Sequence, residues 1–270
     1  MSARPRLRSR LAAAAALPLL LAGVLAPAAA AAEPDEYVAL GDSYASGNGT
    51  QWPDLSLSCY RSSLAYAPIV ARERPNTTLR FRACSGAETQ DVIDGQNAAL
   101  SASTDVVTVS VGGNDVGFVD LILSCFSTWD EPLCRSTVSR VDRRIDSDLP
   151  ARLDATYADI RARAPEAKVI VVGYPQPFGA DVSCGQARGI NEREAAALDG
   201  VAAHLDRVLA ERAAAAGFTY LDPGDAFTGH DVCSTDPYVW GKRTGVLDIY
   251  HPTRAGHRDG FAPLVATAMG

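Results

Sequence analysis

Short runs of apolar and β-branched residues at 37–40, 78–83, 106–111, 169–172 and 219–221 alternate with segments whose apolar residues recur at helical spacing, at 64–72, 138–164 and 191–216. In the second helical segment Val141, Ile145, Leu149, Leu153, Tyr157 and Ile160 share one face, and Pro150 is expected to kink or divide the helix. Strands that are apolar almost throughout, separated by helices, predict a parallel sheet covered on both faces. Ligands of such a sheet bind in the crevice at the carboxyl ends of its strands. No linker, low-complexity segment or repeat breaks the pattern after residue 32, so 33–270 reads as one domain.

Residues 1–32 follow a different pattern: Arg4, Arg6, Arg8 and Arg10, an apolar run from Leu11 to Pro27, then Ala28 to Ala32. This predicts a secretory signal peptide over 1–32. The run is short for a membrane span, small residues follow it closely, and no later apolar stretch approaches about 20 residues. Cleavage after Ala30 or Ala32 leaves about 240 residues, enough for a single core. The leader holds four arginines and no acid, so its removal takes the formal charge from -7 to -11. An acidic chain without a long Lys/Arg block argues against nucleic acid as a partner and against electrostatic docking on anionic lipid. The expectation is a secreted monomer without a stable membrane anchor.

All six cysteines, Cys59, Cys84, Cys125, Cys134, Cys184 and Cys233, lie beyond the leader, where an exported chain meets oxidising conditions. Three disulfides are expected, and the spacing leaves the pairing open among 15 possibilities. No Cys-x-x-Cys or His-x-x-x-His spacing suggests zinc, and an even count leaves no obvious free thiol. No metal or other cofactor is expected.

Polar residues gather where the predicted strands end. The first run stops at Gly41-Asp42-Ser43-Tyr44, where a following turn or helix would aim backbone N–H groups at the Ser43 hydroxyl. Taken alone, Ser43 equally suits a helix cap. The second run ends near Cys84-Ser85-Gly86, where Gly86 allows a backbone N–H to approach a ligand, and the third ends in Gly112-Gly113-Asn114-Asp115, where Asn114 offers an amide donor. A hydroxyl, a backbone donor and an amide donor aimed at one point would make a nucleophile with an oxyanion hole. Of the four histidines, His204 falls within a long helix, His230 in a loop, and His257 reads as a solvated helix residue. His251, in Asp248-Ile249-Tyr250-His251-Pro252, has an acid three residues earlier that could hold its ring as a general base.

Gly41-Asp42-Ser43-Tyr44, the glycine block at Gly86, Gly112-Gly113-Asn114-Asp115 and Asp248-Ile249-Tyr250-His251-Pro252 occur in the order of the four sequence blocks of the SGNH hydrolases, or GDSL esterases and lipases. Over essentially the whole mature chain, the sequence resembles the secreted three-disulfide bacterial members. The resemblance implies a three-layer α/β/α sandwich with a parallel sheet of about five strands. It also implies Ser43 as nucleophile and His251 as base. Asp248 becomes the third catalytic member, unless a main-chain carbonyl takes that place. The backbone N–H groups of Ser43 and Gly86, with the Asn114 amide, become the oxyanion hole. Disulfides in sequence order, Cys59–Cys84, Cys125–Cys134 and Cys184–Cys233, follow from the same resemblance. The implied partner is a lipid or other small ester, with carbohydrate deacetylation and a non-catalytic exported binding module as alternatives. The α/β-hydrolase fold fits less well, because its Gly-x-Ser-x-Gly elbow needs glycine where this chain has Ala45. Tyr44, Trp52, Phe118, Phe126, Trp129, Tyr174, Phe178, Tyr238 and Trp240 are candidates for an acyl pocket.

Overall fold

The computed structural model describes residues 35–126, 131–242 and 248–270, so the leader and Trp129 lie outside the described residues. The elements are β1 (Asp35–Gly41), a single turn α1 (Ser43–Ser46), α2 (Tyr66–Glu73), β2 (Thr77–Phe81), α3 (Thr89–Asp94), β3 (Val106–Ser110), α4 (Gly113–Val116) and α5 (Phe118–Cys125). There follow α6 (Glu131–Ser147), α7 (Leu149–Arg163), β4 (Lys168–Val172), α8 (Glu192–Ala215), β5 (Thr219–Leu221), α9 (Gly224–Phe227), a π-helical turn (Gly256–Phe261) and α10 (Ala262–Met269). All strand pairs are parallel, in the order β2-β1-β3-β4-β5.

The chain runs outward from β1 to β2 and then returns past β1 to β3, so its direction reverses between β1 and β3. Right-handed crossovers therefore place α2 on one face and α3, α7 and α8 on the other. The π-helical turn and α10 pack beside α2, giving a three-layer α/β/α sandwich. The central strands are buried on both faces: Tyr37 to Leu40 and all of β3 lie in the core, which is why their sequences do not alternate. The crevice outside the carboxyl ends of β1 and β3, at the reversal point, is where this architecture opens to a ligand.

Pro150 divides the long amphipathic stripe. The first part ends at Ser147, and Pro150 occupies the first turn of α7, where its missing N–H costs nothing. Asn191 opens α8 with a capping box, accepting from the Glu194 N–H at 3.0 Å while Glu194 accepts from the Asn191 N–H at 2.9 Å. The hydrophobic pattern does not predict α3, α5 or α10, which have 6, 8 and 8 residues.

The solvated position expected for His257 is corrected by the fold. Because α10 returns against α2, His257 is fully buried between Tyr66 and Phe261, and desolvation lowers its pKa to about 3. Cys59–Cys84 ties the segment after α1 to the end of β2, Cys125–Cys134 joins α5 to α6, and Cys184–Cys233 joins the segments after β4 and α9. Each bridge contributes about 2–4 kcal/mol by restricting the unfolded chain.

Candidate active site

β1 ends at Gly41, whose φ of +128° suits glycine and whose hypothetical Cβ would collide with the main chain of Ser110 on β3. This close approach lets the Asp42 N–H donate to the Ser110 carbonyl at 2.8 Å. The Gln96 side-chain amide grips Gly41 from both sides, accepting from its N–H at 2.7 Å and donating to its carbonyl at 2.9 Å. The strand end is thus fixed before the chain turns into α1, and Ser43 becomes the first helical residue.

The Ser43 Oγ lies 2.7 Å from His251 Nε2, although 208 positions separate the two in sequence. His251 sits on a short antiparallel pairing in which the Trp240 N–H donates to its carbonyl and the Tyr250 N–H donates to that of Trp240, each at 2.9 Å. Tyr250 adopts φ +57°, a conformation that side chains other than glycine rarely occupy and that costs on the order of 1 kcal/mol. Packing against Phe126 and Phe178 holds it there, and its carbonyl accepts the Tyr44 hydroxyl at 2.6 Å. Tyr44 follows Ser43, and Tyr250 precedes His251, so this bond connects the two turns that carry the pair.

The imidazole is largely surrounded by protein although one side faces the pocket. Desolvation pulls its pKa down to about 4, partly offset by the Ile249 main chain. Its Nδ1 makes no hydrogen bond of ordinary geometry; the polar group acting on it is the Ile249 backbone, not a side-chain acid. Asp248 is engaged elsewhere: its carboxylate accepts from the Gly49 N–H at 3.2 Å and from Gln51 Nε2 at 3.4 Å. With the His251 N–H donating to the Asp248 carbonyl at 3.0 Å, the Asp248 carboxylate bonds Gly49 and Gln51 and not the ring. Asp248→Asn, which keeps an oxygen for Gly49, is therefore expected to lower kcat less than tenfold. An acid that orients the base would cost about 10⁴-fold, so the kcat of this variant decides between the two arrangements.

Three further strand ends converge. Gly86 adopts φ +83°, and among the described residues neither its N–H nor that of Ser43 donates to a protein acceptor. Asn114 gives one amide hydrogen to the Ala87 carbonyl, at 2.9 Å, and lines the same pocket as Ser43, leaving its second hydrogen available. Tyr174, just past β4, donates to Asp42 Oδ2 at 2.6 Å and accepts from the Gly113 N–H at 3.3 Å, joining the turns after β1 and β3. Asp42 also accepts the Tyr44 N–H at 2.9 Å, yet burial pushes its pKa up to about 7. Asn48 donates to the Ser85 hydroxyl at 3.0 Å on the Gly86 side. The linking roles of Gln96, Tyr174 and Asn48 are not evident from sequence. The position of Tyr174 at a strand end was the available signal, and it suggested only an aromatic wall.

The pocket holds about 220 Å³ and is bounded by Ser43, His251 and Asn114 at its polar end and by Phe118, Ile122, Phe126 and Leu205 along its apolar wall. Tyr44 and Tyr174 also line it. Trp52 is exposed, while Phe178, Tyr238 and Trp240 serve local structure: Phe178 against Tyr250, Tyr238 stacked on His230, and Trp240 donating to the Gly49 carbonyl at 2.6 Å. His204 stands away from this pocket, bonded to Asp142 and Asp146 at 2.9 Å each. No group of three or more metal-ligating side chains forms a cation site among the described residues.

A serine paired with a histidine and faced by unbonded donors, at the strand ends of a parallel sheet, defines a hydrolase of the nucleophilic-serine class. A model of the GDSL-like lipase/acylhydrolase family matches residues 39–258, and the chain belongs to that family. It is 40% identical to Lipase 1 of Streptomyces coelicolor over 248 residues, 91% of each chain. An extracellular lipase from Streptomyces rimosus superposes with a TM-score of 0.82 at 38% identity, covering 87% of this chain and 99% of that one. A phospholipase A1 from Streptomyces albidoflavus superposes with a TM-score of 0.81 at 39% identity, with the same coverage.

Proposed function

We propose that this carboxylic ester hydrolase cleaves acyl esters of lipids through an acyl-enzyme on Ser43, and that it acts outside the cell. The observation that carries the reading is the 2.7 Å contact between Ser43 Oγ and His251 Nε2 at the mouth of an apolar pocket. The relatives named lipase and phospholipase A1 support the substrate class, and the extracellular relative and three disulfides support export.

In the mechanism, His251 Nε2 accepts the hydroxyl proton as Ser43 Oγ bonds to the ester carbonyl carbon. The carbonyl electron pair moves onto oxygen, where the N–H groups of Ser43 and Gly86 and the free Asn114 amide hydrogen stabilise it. Collapse expels the alcohol with the proton returned by His251. Water, deprotonated by the same ring, then releases the fatty acid and regenerates Ser43. The Ile249 backbone, and not Asp248, faces the imidazolium formed in each half-reaction.

A panel of esters from acetyl to long-chain acyl, with a phospholipid and an acetylated sugar included, tests the reading. Long-chain lipid esters are expected to be the best substrates; turnover confined to the acetylated sugar would overturn it. An organophosphate should label Ser43 covalently, and a folded protein that takes up no label would instead be a binding module. The pH profile follows from the base. His251 must be neutral to accept a proton, and its pKa lies at about 4. Protonation of His251 is therefore expected to abolish activity as pH falls through about 4. Asp42, bonded beside Ser43 with its pKa pushed up to about 7, titrates near neutrality, so the profile is measured on Asp42→Asn as well. A kcat/KM limb near 6.5 on a soluble ester that persists in that variant would contradict the desolvated ring.

A further inference from the structure

The large hydrophobic side chains exposed among the described residues are Trp52, Leu55, Leu57, Val119, Leu123 and Leu133. They fall on two stretches, one after α1 and the other along α5 and the start of α6. Both stretches border the candidate active site. In the first, the Cys59 carbonyl accepts the Ser85 N–H at 3.0 Å and Cys59 is bridged to Cys84, so this stretch abuts the Ser85-Gly86 edge of the pocket. In the second, Val119 and Leu123 stand one helical turn apart on α5, half exposed, while also lining the pocket that holds Ser43. Cys125–Cys134 staples this helix to α6, next to Leu133.

A surface-exposed leucine or tryptophan is unremarkable singly; a set gathered on two stretches that border one pocket marks a docking surface. The pocket's apolar wall continues without a polar break into the exposed faces of Val119 and Leu123. An acyl chain passing from an apolar phase to Ser43 would therefore remain covered. Charge selects the kind of surface. Residues 50–60, 117–126 and 131–135 contain three acids, Asp54, Asp120 and Glu131, and one base, Arg135, while Lys242 lies over the Phe126 ring at 4.7 Å. Acids and bases nearly balance, so the two stretches carry no net positive charge to attract an anionic layer.

We propose that the two stapled stretches form a rim that docks the protein on a lipid surface without net charge, presenting acyl esters directly to Ser43. The inference rests on the lipid-ester reading above and adds where the substrate is met. Leu55, Leu57 and Leu133 line no part of the pocket, so they report on docking alone. Leu55→Ser, Leu57→Ser and Leu133→Ser, singly and combined, are to be assayed for co-sedimentation with phosphatidylcholine and phosphatidylglycerol vesicles, for hydrolysis of emulsified long-chain ester, and for hydrolysis of a water-soluble short-chain ester. The parent protein is expected to sediment with phosphatidylcholine at least as well as with phosphatidylglycerol. Each serine should weaken sedimentation on the order of tenfold, with a parallel loss on emulsion and an unchanged rate on the soluble ester. Unaltered vesicle binding in the triple variant overturns the proposal. So does a dimer of the parent that the variants dissociate, which would assign the rim to a second copy of the chain. A parent that binds vesicles yet hydrolyses neither ester would retain the docking rim and remove the esterase reading.

Discussion

Ser43→Ala is expected to lower kcat for ester hydrolysis by about a millionfold, the scale on which a serine hydrolase loses turnover when its nucleophile is removed. The neighbouring serine hydroxyls are held by other partners: that of Ser46 donates to the Ser43 carbonyl at 3.3 Å and to Asn48 Oδ1 at 3.2 Å, and that of Ser85, which lines the pocket, accepts from Asn48 at 3.0 Å. Thermal unfolding should hardly change, because among the described residues the only hydrogen bond of the Ser43 hydroxyl is the one to His251. His251→Ala should cost a comparable factor, and the double variant no more than either, since the pair acts as a unit. Steady-state kinetics on a soluble ester measure all three. Retention of a tenth of the parent activity in Ser43→Ala would place the chemistry elsewhere.

Asn114→Ala should reduce kcat by about 10²–10³-fold with little change in KM, because its amide hydrogen meets charge that exists on the carbonyl oxygen only in the transition state. The same side chain also satisfies the Ala87 carbonyl, at 2.9 Å, so the variant should lose stability on the order of 1 kcal/mol as well. The two effects separate experimentally. A kcat loss that persists well below the unfolding transition reports the oxyanion donor, whereas a rise in KM at constant kcat would make Asn114 a binding or purely structural residue.

The difference between Asp248 and Ile249 illustrates where sequence reasoning reaches its limit. An acid three residues before a histidine fits the spacing for an orienting group, and nothing in the local sequence says otherwise. Its direction is set by Gly49, nearly 200 positions away, whose N–H takes the carboxylate. The same limit explains His257: its burial depends on α10 packing against α2, which nothing in the sequence around residue 257 announces. Gln96 and Tyr174 are harder still, because a glutamine after a helix and a tyrosine after a strand carry no signal until Gly41 and Asp42 lie beside them.

Local pattern in the sequence was sufficient for the parallel α/β class, since strands buried on both faces must be apolar throughout and the helices between them must carry a stripe. It also located Ser43, Gly86 and Asn114 at strand ends, because glycines and small polar residues interrupt the apolar runs there. Strand order, and with it the reversal between β1 and β3 that gathers those ends, was decided by the tertiary structure. So were the approach of His251 to 2.7 Å from Ser43 and the bonding of the Asp248 carboxylate to Gly49 instead of the ring. The physical reason is that hydrophobic periodicity is a property of neighbours along the chain. A catalytic contact across 208 residues depends on how packed layers and two constrained turns bring distant side chains together.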